Sequence, residues 1–512
     1  MSEWADGYVV DIPYSTGFYR ELTPTWLNFT ALVSGVGAPS RKAFSYAELG
    51  CGLGHGTALM AATHPHGDFW GFDFNPQQIG IATRLSTAAG LTNVHFREKS
   101  FEELATEESR DIPAFDYIVM HGIWTWVSEV NRKFALAFIA KYLKPNGIVY
   151  VSYNCNVGWM AMAPLQQFMR AYASTLPGNS ADRAKAAFGF AQGLSQGGAM
   201  YFKANTQIDR RLELALAHDA HYLAHEYMNG NWYLPSHLEV RQDFEAVKCD
   251  YVGSATPLDN FDAIMLPTGV RDHLKRIARP ELREAARDLA TNNGFRRDLY
   301  MRGTYRLTPQ ELQKAWARVR LLPVKQPSDG KISVKTSVGE VSFQEDLYSP
   351  LLDALFSRGS LGFDEAISLG GKRRAATEVQ QVFGILLQSG IAHPEADAPA
   401  DEPARRFNRA LYSQLLDGHD LNFMAMPRHG SGIGMTFIDA ALLEAMRLHP
   451  DASPKQLAAE VWNQYKLASR RPAKGGKPLT DAASALEVLE AELNQAHVSA
   501  RRADFIRQGL LD

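Results

Sequence analysis

The sequence has few cysteines and lacks the features that direct a chain into or across a membrane. Its three cysteines, Cys51, Cys155 and Cys249, show no Cys-x-x-Cys spacing, which argues against a disulfide framework and a structural zinc site. The first residues are acidic and polar rather than basic and then apolar, so no secretory signal peptide is expected. No apolar run approaches the roughly 18 residues of a transmembrane helix. We therefore expect no membrane insertion and a reducing, cytoplasmic location.

An excess of one charge sign is also missing. The 53 Lys and Arg residues nearly balance the 56 Asp and Glu residues, and the formal net charge is -3. Such a balance gives no global attraction to nucleic acid or to an anionic membrane, so a nucleic-acid partner is not expected, although a local basic patch stays open. At 512 residues the chain is too long for one hydrophobic core, which predicts roughly two to four domains.

The first third of the sequence alternates strand and helix patterns. Apolar runs predict strands, and periodic apolar residues predict the helices between them. The strands are 44–50, 69–74, 94–96, 115–120 and 148–153, and the helices are 57–63, 76–89 and 131–142. Alternation of this kind predicts a parallel sheet with right-handed crossovers.

The pattern changes after Tyr153. Residues from about 160 to 245 look helical throughout, and 250–254 and 261–265 then resemble two more strands. We predict an α/β fold in which a Rossmann-like seven-stranded sheet contains this helical insertion and ends near residue 267.

The second half has a different, mostly helical character. Residues 280–299 are predicted as a charged helix, and the alternation of 332–343 around Gly339 predicts a small hairpin. Three further helices follow, at 349–357, 363–369 and 375–389, in a pattern compatible with a winged-helix-like unit. A stretch rich in Pro, Ala and acidic residues, 393–403, is predicted to be a linker. The predicted domains are 1–270, 271–395 and a mostly helical C-terminal domain, 404–512.

Glycines recur at the turn between the first predicted strand and its helix. They are Gly50, Gly52, Gly54 and Gly56. Glycines there let the backbone approach a ligand without a Cβ in the way and present amides at a helix N-terminus. A dinucleotide fingerprint, Gly-x-Gly-x-x-Gly, does not fit, because His55 and Thr57 stand where its third glycine is required. A tight turn that holds no ligand is the structural alternative.

Two carboxylates, one just before these glycines and one at the end of the second strand, favour S-adenosylmethionine as the cofactor. Glu48 precedes the glycines, where it can hold the ammonium of a methionyl group and would repel a dinucleotide pyrophosphate. Asp73 ends the second strand and can accept both ribose hydroxyls, as in dinucleotide folds. Glu48 and the glycine spacing therefore discriminate between the two cofactors, and Asp73 alone does not.

With these positions aligned, the chain resembles the class I S-adenosylmethionine-dependent methyltransferases that carry a methyltransferase regulatory domain. The resemblance extends from near the N-terminus to about residue 300 and, more weakly, to the C-terminus. It rests on Pro13-Tyr14, Phe18, Pro24, Leu27, 48–54, Gly71-Phe72-Asp73, 121–127, 151–154, Gly158-Trp159, 222–227 and 293–297. The His-Gly-x-x-x-Trp-Val segment at 121–127 is more specific than the glycine motif.

The resemblance implies which residues hold the methyl donor. They are Glu48, Gly50, Cys51, Gly52, Gly54, Asp73, Phe74, Ser100, Phe101, His121 and Gly122. The family usually has an acidic residue near the adenine after the third strand, whereas this chain has Ser100 and Phe101. Adenine is therefore expected to meet the Ser100 hydroxyl and to pack against Phe101.

The acceptor is expected beyond the fourth strand, because ligands bind outside the carboxyl ends of strands in a doubly wound sheet. Residues 121–126 follow that strand and would cross over the donated methyl group. Aromatic faces favour the positive charge that develops on a methylated amine, by roughly 0.5–2 kcal/mol each. The candidates for such an acceptor channel are Tyr14, Trp124, Trp126, Tyr153 and Trp159, with core packing as the alternative for each. His121 would accept a proton or only orient the backbone or the cofactor, and the predicted catalytic residues are Tyr14, His121, Trp124 and Tyr153.

Three other segments are predicted to be structural. His221 and His225 have the spacing of zinc ligands, but Asn229 stands where His-Glu-x-x-His needs its second histidine, so no metal is predicted. Lys372-Arg373-Arg374 is predicted to be a solvated helix end rather than a DNA contact. Residues 430–434 follow no strand pattern and are predicted to be a loop.

The sequence predicts an enzyme that N-methylates lysine side chains of a protein, since some members of the resembling family are bacterial protein-lysine methyltransferases. The alternative acceptor is a small molecule or a glycan or lipid precursor, with the extra domains serving as a lid and a homodimer interface. A non-catalytic or nucleic-acid-linked binding scaffold is the second alternative. The complete glycine loop with Glu48 and Asp73 argues against that scaffold.

Overall fold

The computed structural model describes almost the whole chain. The described residues are 6–12, 17–39, 42–108, 110–327, 332–336, 339–342, 345–371, 373–397, 399–419, 421–474, 477–479 and 481–511. None of the helices in these ranges is long and apolar enough to cross a membrane.

A seven-stranded sheet organises the first part of the chain. Its strands are β1 (Phe44–Leu49), β2 (Gly67–Asp73), β3 (Val94–Glu98), β4 (Phe115–Met120), β5 (Leu143–Asn154), β6 (Cys249–Ser254) and β7 (Phe295–Arg302). They lie in the order β3-β2-β1-β4-β5-β7-β6, with β1 to β5 parallel and β7 antiparallel between β5 and β6. The strand order reverses between β1 and β4, which opens a crevice at their carboxyl ends. The predicted Rossmann-like seven-stranded sheet is confirmed.

The seventh strand is not the one predicted. The prediction of a strand at 261–265 is wrong, because the chain forms the helix Asp262–Met265 there. The strand is instead Phe295–Arg302, which overlaps the end of the predicted helix 280–299. That helix ends earlier, because Asn292 adopts a left-handed conformation (φ 46°). The sequence pattern does not predict this strand, because its buried residues Arg296 and Asp298, which pair with each other at 2.9 Å, interrupt the apolar pattern. The sheet therefore extends beyond the predicted domain boundary at residue 270.

Helices cover both faces of the sheet. They are α1 (Pro24–Val33), α2 (His55–Thr63), α3 (Pro76–Ala88), α4 (Phe101–Thr106) and α5 (Glu129–Tyr142). Local sequence fixes where they begin: α3 starts at Pro76, after Asn75, whose side chain accepts the amides of the first turn. On one face α1 and α2 pack against Tyr46, and on the other the Phe138 ring of α5 lies 5.7 Å from that of Phe72.

The helical insertion follows β5, as predicted. Its helices are α6 (Asn156–Trp159), α7 (Ala163–Ser174), α8 (Ser180–Gln196), α9 (Met200–Ala204), α10 (Thr206–Leu216), α11 (Ala220–Tyr227) and α12 (His237–Ala246). The insertion has its own core, in which Phe188 packs edge-on against Tyr227 at 4.9 Å. The N-terminal segment is tied to it, because the Val9 amide donates to Asn229 at 3.0 Å. The insertion and the N-terminal segment therefore form one cover over the carboxyl edge of the sheet.

The rest of the chain is mostly helical with small sheets. The middle part contains α13 (Asp262–Met265), α14 (Thr268–Leu274), α15 (Pro280–Thr291), α16 (Pro309–Ala317), β8 (Arg320–Pro323), β9 (Ser333–Thr336), β10 (Gly339–Ser342), α17 (Glu345–Arg358), β11 (Leu361–Gly362), α18 (Phe363–Ser368), α19 (Ala376–Gln388) and β12 (Ala392–Pro394). The C-terminal part contains α20 (Asp401–Leu416), β13 (Phe423–Met426), β14 (Ser431–Gly434), α21 (Phe437–Leu448), α22 (Pro454–Leu467), β15 (Ala473–Lys474), β16 (Lys477–Pro478), α23 (Ala482–Glu492) and α24 (Gln495–Arg507). In the middle part β8 pairs with both β11 and β12, and β9 and β10 form the hairpin expected around Gly339.

Two segments of this half differ from the sequence prediction. The predicted linker 393–403 is too long, because His393 and Pro394 belong to β12, where His393 is buried, and residues 401–403 belong to α20. The predicted loop 430–434 is wrong, because it forms β14 of a hairpin with β13. Gly430 supplies the left-handed turn of that hairpin, with φ 56°.

The C-terminal helices share a core with the sheet domain. Leu59 of α2 and Leu85 of α3 belong to the same buried cluster as Phe407 and Leu411 of α20. The cluster continues through α21 and α22. The C-terminal domain therefore packs directly on the helix that follows the glycine loop.

Candidate active site

A cavity of about 560 Å³ lies at the carboxyl edge of the sheet, under the N-terminal segment and α11. It is lined by every residue predicted to hold the donor: Glu48, Gly50, Cys51, Gly52, Gly54, Asp73, Phe74, Ser100, Phe101, His121 and Gly122. The fold thus brings the ends of β1 to β5 and β7 together around one space. Which of these residues contact a ligand stays a prediction.

The glycines between β1 and α2 are required by backbone geometry. Gly50, Gly52 and Gly54 all have positive φ, between 55° and 74°. A Cβ on Gly50 would lie 2.3 Å from Ile123 Cδ1, and one on Gly54 would lie 2.4 Å from Ala82 Cβ. Larger residues would therefore strain the backbone and collide with their neighbours, and the loop keeps its main chain open to the cavity.

Glu48 and Asp73 are buried carboxylates at the ends of β1 and β2. The Thr57 hydroxyl donates to Glu48, and burial, with a smaller effect of the Asp73 charge, raises the pKa of Glu48 to about 7. Asp73 accepts the Gly52 amide at 2.9 Å and the Asn75 amide at 2.9 Å. Burial raises the pKa of Asp73 to about 6, and these amides limit the rise. Both groups suit a ligand that brings a cationic amine to Glu48 and hydroxyl donors to Asp73.

Ser100 and Phe101 line the cavity at the start of α4. The Ser100 hydroxyl oxygen accepts the Glu103 amide at 3.2 Å, and Glu103 in turn accepts the Ser100 amide at 2.7 Å. The capping box therefore fixes the oxygen of Ser100. Hydrogen bonds from the Ser100 amide and, to a smaller extent, from the Ser100 hydroxyl lower the pKa of Glu103, so the hydroxyl is engaged within the capping box.

His121, which follows β4, is held as a neutral imidazole. Its Nδ1 lies 2.9 Å from the Tyr150 hydroxyl and 3.3 Å from Ser152 Oγ, and its ring centroid lies 3.8 Å from that of Tyr19. Burial, followed by the nearby Arg297 charge, lowers the pKa of His121 to about 3. Of the two predicted roles, orientation fits this environment better than proton acceptance.

Only some of the predicted acceptor aromatics line the cavity. Trp126, Tyr153 and Trp159 do, although the Tyr153 hydroxyl donates to Asp298 at 2.6 Å and so points away from an acceptor. The prediction for Trp124 is wrong, because its ring is fully buried in the core, 5.4 Å from the Phe244 ring. The chain turns at this segment, with the Trp126 amide donating to the Ile123 carbonyl, so neighbouring side chains diverge. Tyr14 lies outside the described residues.

Several cavity residues are absent from the predicted site, and four of them lie near His121 or on the helix above it. Tyr19 covers His121, Tyr222 and Glu226 come from α11, and Arg297 comes from β7. Burial, followed by the Glu226 charge, raises the pKa of Tyr222 to about 12. The segments 222–227 and 293–297 carry part of the family resemblance, but nothing in the sequence indicates that they meet over β4.

The histidine and arginine clusters are built into the fold. His225 is buried with Nε2 3.2 Å from the Ile12 carbonyl oxygen, and no group of three or more metal-ligating side chains lies together among the described residues. Arg374 is also buried and donates to the Leu369 carbonyl at 3.0 Å, so it is not a solvated helix end. Lys372 lies outside the described ranges.

Two family models match consecutive parts of the chain. A methyltransferase domain matches residues 40–209, and a predicted methyltransferase regulatory domain matches residues 219–302. The first range contains β1 to β5 and the second contains β6 and β7. Together they span the whole seven-stranded sheet and the insertion.

Similar proteins extend this match to the full length. An uncharacterized protein of Synechocystis sp. is 33% identical over 494 residues, which are 95% of this chain and 96% of that protein. A malonyl-(acyl-carrier protein) O-methyltransferase of Paenibacillus sp. is 26% identical over 110 residues, 21% of this chain and 38% of that enzyme. The structure of PKMT2 from Rickettsia typhi in complex with AdoHcy has a TM-score of 0.69 at 19% identity, covering 98% of this chain and 100% of that one. At that identity the likeness shows a shared fold.

Proposed function

The chain belongs to the S-adenosylmethionine-dependent methyltransferases that carry a methyltransferase regulatory domain, and from that premise we propose that it N-methylates lysine side chains of a protein. One observation carries the choice of acceptor. Phenol and indole rings line the cavity beyond His121, and the carboxylate of Glu226 lies among them. Such a surface suits an amine that is a cation in water and is a cation again after methylation.

We propose that the donor binds along the ends of β1, β2 and β3. Its methionyl ammonium meets Glu48, its ribose hydroxyls donate to Asp73, and its adenine packs on Phe101. When bound, the donor supplies a methyl group on a sulfonium. The glycine loop and His121 orient that group, and positioning of this kind supplies most of the catalysis in an in-line displacement.

The lysine amine must be neutral when it attacks. Arg297 carries a positive charge close enough to His121 to lower the pKa of that residue, and the same charge disfavours an ammonium in this part of the cavity. Glu226 acts in the opposite sense and attracts the cationic form during entry. A lysine therefore enters as an ammonium, loses its proton to solvent and attacks as an amine. After transfer, the rings of Tyr19 and Trp126 favour the charged product by roughly 0.5–2 kcal/mol each.

The similar fold of PKMT2, a protein lysine methyltransferase of Rickettsia, supports this proposal. The match to a malonyl-(acyl-carrier protein) O-methyltransferase is confined to 110 residues. It supports methyl transfer but does not favour one acceptor over another. A homodimer and a cytoplasmic location, both expected from the sequence, stay predictions.

Incubation with an isotopically methyl-labelled donor and a bacterial lysate tests the proposal. The lysate is used whole and after removal of macromolecules, and wild-type protein is compared with Asp73→Asn. We expect label in protein with the wild-type chain and much less with the variant. Label that appears only in small molecules would contradict methylation of protein lysine and favour the small-molecule alternative.

A further inference from the structure

The hairpin β13–β14 has one edge closed and one edge open. Met435 donates its amide to the Asn422 carbonyl at 2.7 Å, and these two residues are directly opposite in the hairpin register. In an antiparallel pair, bonded and non-bonded positions alternate. The main-chain N–H and C=O of Gly432 and Gly434 therefore point away from β13.

The two outer edges differ in what they contact. On the β13 side, the Ala425 amide donates to Asn408 Oδ1 at 2.8 Å, and Asn408 Nδ2 donates to the Ala425 carbonyl at 3.0 Å. On the β14 side, no described residue outside the hairpin bonds the main chain of Gly432 or Gly434. An edge of this kind is a template for another strand.

The open edge borders a second cavity, of about 680 Å³, where the N-terminal segment, the middle domain and the C-terminal domain meet. Phe18 lines both this cavity and the one at the carboxyl edge of the sheet. The strand starts beside Phe18, since a Cβ on Gly432 would lie 2.9 Å from Phe18 Cδ1, and it ends at Gly434, which is exposed. The strand therefore runs from an exposed end to Phe18, a residue that lines both cavities.

We infer that an extended segment of the acceptor protein adds to the Gly432–Gly434 edge as a third strand and presents its lysine past Phe18. This inference rests on the proposed function. Strand addition takes its affinity from main-chain hydrogen bonds, and the two outward-facing glycines offer two donors and two acceptors at the spacing of a β-ladder.

The charges around this cavity favour a polypeptide over a nucleic acid. Arg501 pairs with Asp439 at 2.8 Å, and Arg20 lies 4.0 Å from Glu21 and donates to the Gln388 carbonyl at 2.9 Å. A phosphate backbone needs a large excess of unpaired positive charge, whereas this cavity is lined by three cationic and two acidic residues, and two of the cations are paired. An uncharged peptide main chain can bind through hydrogen bonds to the exposed amides and carbonyls of β14 alone.

The matched variants Gly434→Pro and Gly434→Ala test the inference. Gly434 has no positive φ, and the nearest atom to a Cβ there is the Asn422 carbonyl oxygen at 3.7 Å, an ordinary contact. Proline removes the outward N–H and blocks the edge, whereas alanine keeps the donor. We expect Gly434→Pro to raise the KM for a protein acceptor about tenfold while kcat and donor affinity stay near wild type, because one or two main-chain hydrogen bonds are lost. Gly434→Ala should stay within about twofold of wild type.

Equal KM values for the two variants, with methyllysine still formed, would overturn strand addition and leave the proposed function standing. Absence of methyllysine with the wild-type chain would overturn both. Hydrogen exchange on the wild-type chain gives an answer that does not depend on how the variants fold. Addition of the acceptor should slow exchange of the Gly432 and Gly434 amides, and unchanged exchange would count against the inference.

Discussion

At the scale of single residues, the two buried carboxylates of the cavity have different surroundings. Asp73 accepts two backbone amides, while Glu48 accepts the Thr57 hydroxyl and is also destabilised by the Asp73 charge. Burial raises the pKa of Glu48 from 4.5 to about 7 and that of Asp73 from 3.8 to about 6, so the two rises are similar. A cationic ligand beside them would restore both ionised forms.

Asp73→Asn should weaken donor binding without unfolding the chain. The variant keeps the shape of the side chain but loses the charge that accepts ribose hydroxyls, and a hydrogen bond to a charged group contributes about 1.5–3 kcal/mol, so affinity should fall about 10- to 100-fold. Calorimetric titration measures the change. The control is Asp68→Asn on the same strand, where the carboxylate accepts the Trp70 indole N–H outside the cavity. Unchanged affinity for Asp73→Asn would refute the donor position.

Donor affinity should fall as the pH drops through 7. In the free protein the pKa of Glu48 is raised to about 7, so this carboxylate is protonated at a higher pH than an ordinary glutamate. A protonated carboxyl group carries no charge to attract an ammonium. Between about pH 7.5 and pH 5.5 we expect roughly tenfold weaker binding or more, with proton release on binding in that range. Glu48→Gln should bind weakly at every pH and show a flatter profile. An equally steep profile in that variant would contradict the assignment to Glu48.

The sequence predicts residues that line the cavity at the ends of β1 to β3 better than it predicts those that line the cavity beyond His121. Glu48, Asp73 and Ser100 lie at or just after the ends of strands that must meet at one edge of a parallel sheet, so strand order alone brings them together. Trp124 follows β4 in the same way, yet a turn sends its ring into the core. Glu226 comes from the helical insertion. The position of that insertion on the sheet depends on tertiary contacts, which leave no periodic pattern in the sequence.

At the scale of elements, the β1–α2 loop is fixed by its glycines, and Gly54→Ala should destabilise the chain. Gly54 has φ 69° and its Cβ would collide with Ala82 and Phe96. The left-handed conformation costs about 1–2 kcal/mol and the overpacking about 1–3 kcal/mol. Chemical unfolding without donor measures the difference.

Gly56→Ala is the matched control for that loop. Gly56 lies inside α2, and a Cβ there would meet nothing within 4 Å. Alanine is the better helix former, so this variant should be neutral or more stable by up to about 1 kcal/mol. Similar losses for both variants would contradict the role of backbone geometry at Gly54.

The β7 element shows where pattern-based prediction stops. Arg296 is buried with Asp298 and Asp288 as ion-pair partners at 2.9 and 2.7 Å. Charged residues are usually exposed. When they are paired inside the core instead, the alternation of apolar and polar residues that marks a strand no longer appears in the sequence. The five parallel strands could be predicted because each contains a short group of apolar residues bounded by turns.

At the scale of the whole molecule, the C-terminal domain and the sheet domain should unfold together. Leu59 and Leu85 share one buried core with Phe407 and Leu411, so separation would expose apolar surface on both sides. We predict one calorimetric transition for the full chain, which AdoHcy shifts upward as a unit. Two transitions, of which only one responds to AdoHcy, would contradict this coupling.

The segment that joins β12 to α20 shows how far composition alone can predict at this scale. Composition suggests a linker at 393–403, but His393 of β12 packs 5.7 Å from the Trp26 ring of α1, and α20 begins at Asp401. Proline, alanine and acidic residues are typical of linkers and equally of a short edge strand followed by a helix start. Only the three-dimensional contacts distinguish the two.

The most direct test of protein-lysine methylation is amino-acid analysis of the methylated product. Protein labelled from an isotopically methyl-labelled donor by the wild-type chain is hydrolysed in acid and its labelled amino acids are separated. We predict label in methylated lysine, and its loss with Asp73→Asn. Label released as methanol by mild base before the acid hydrolysis, label in methylarginine, or label confined to small molecules would contradict the proposal.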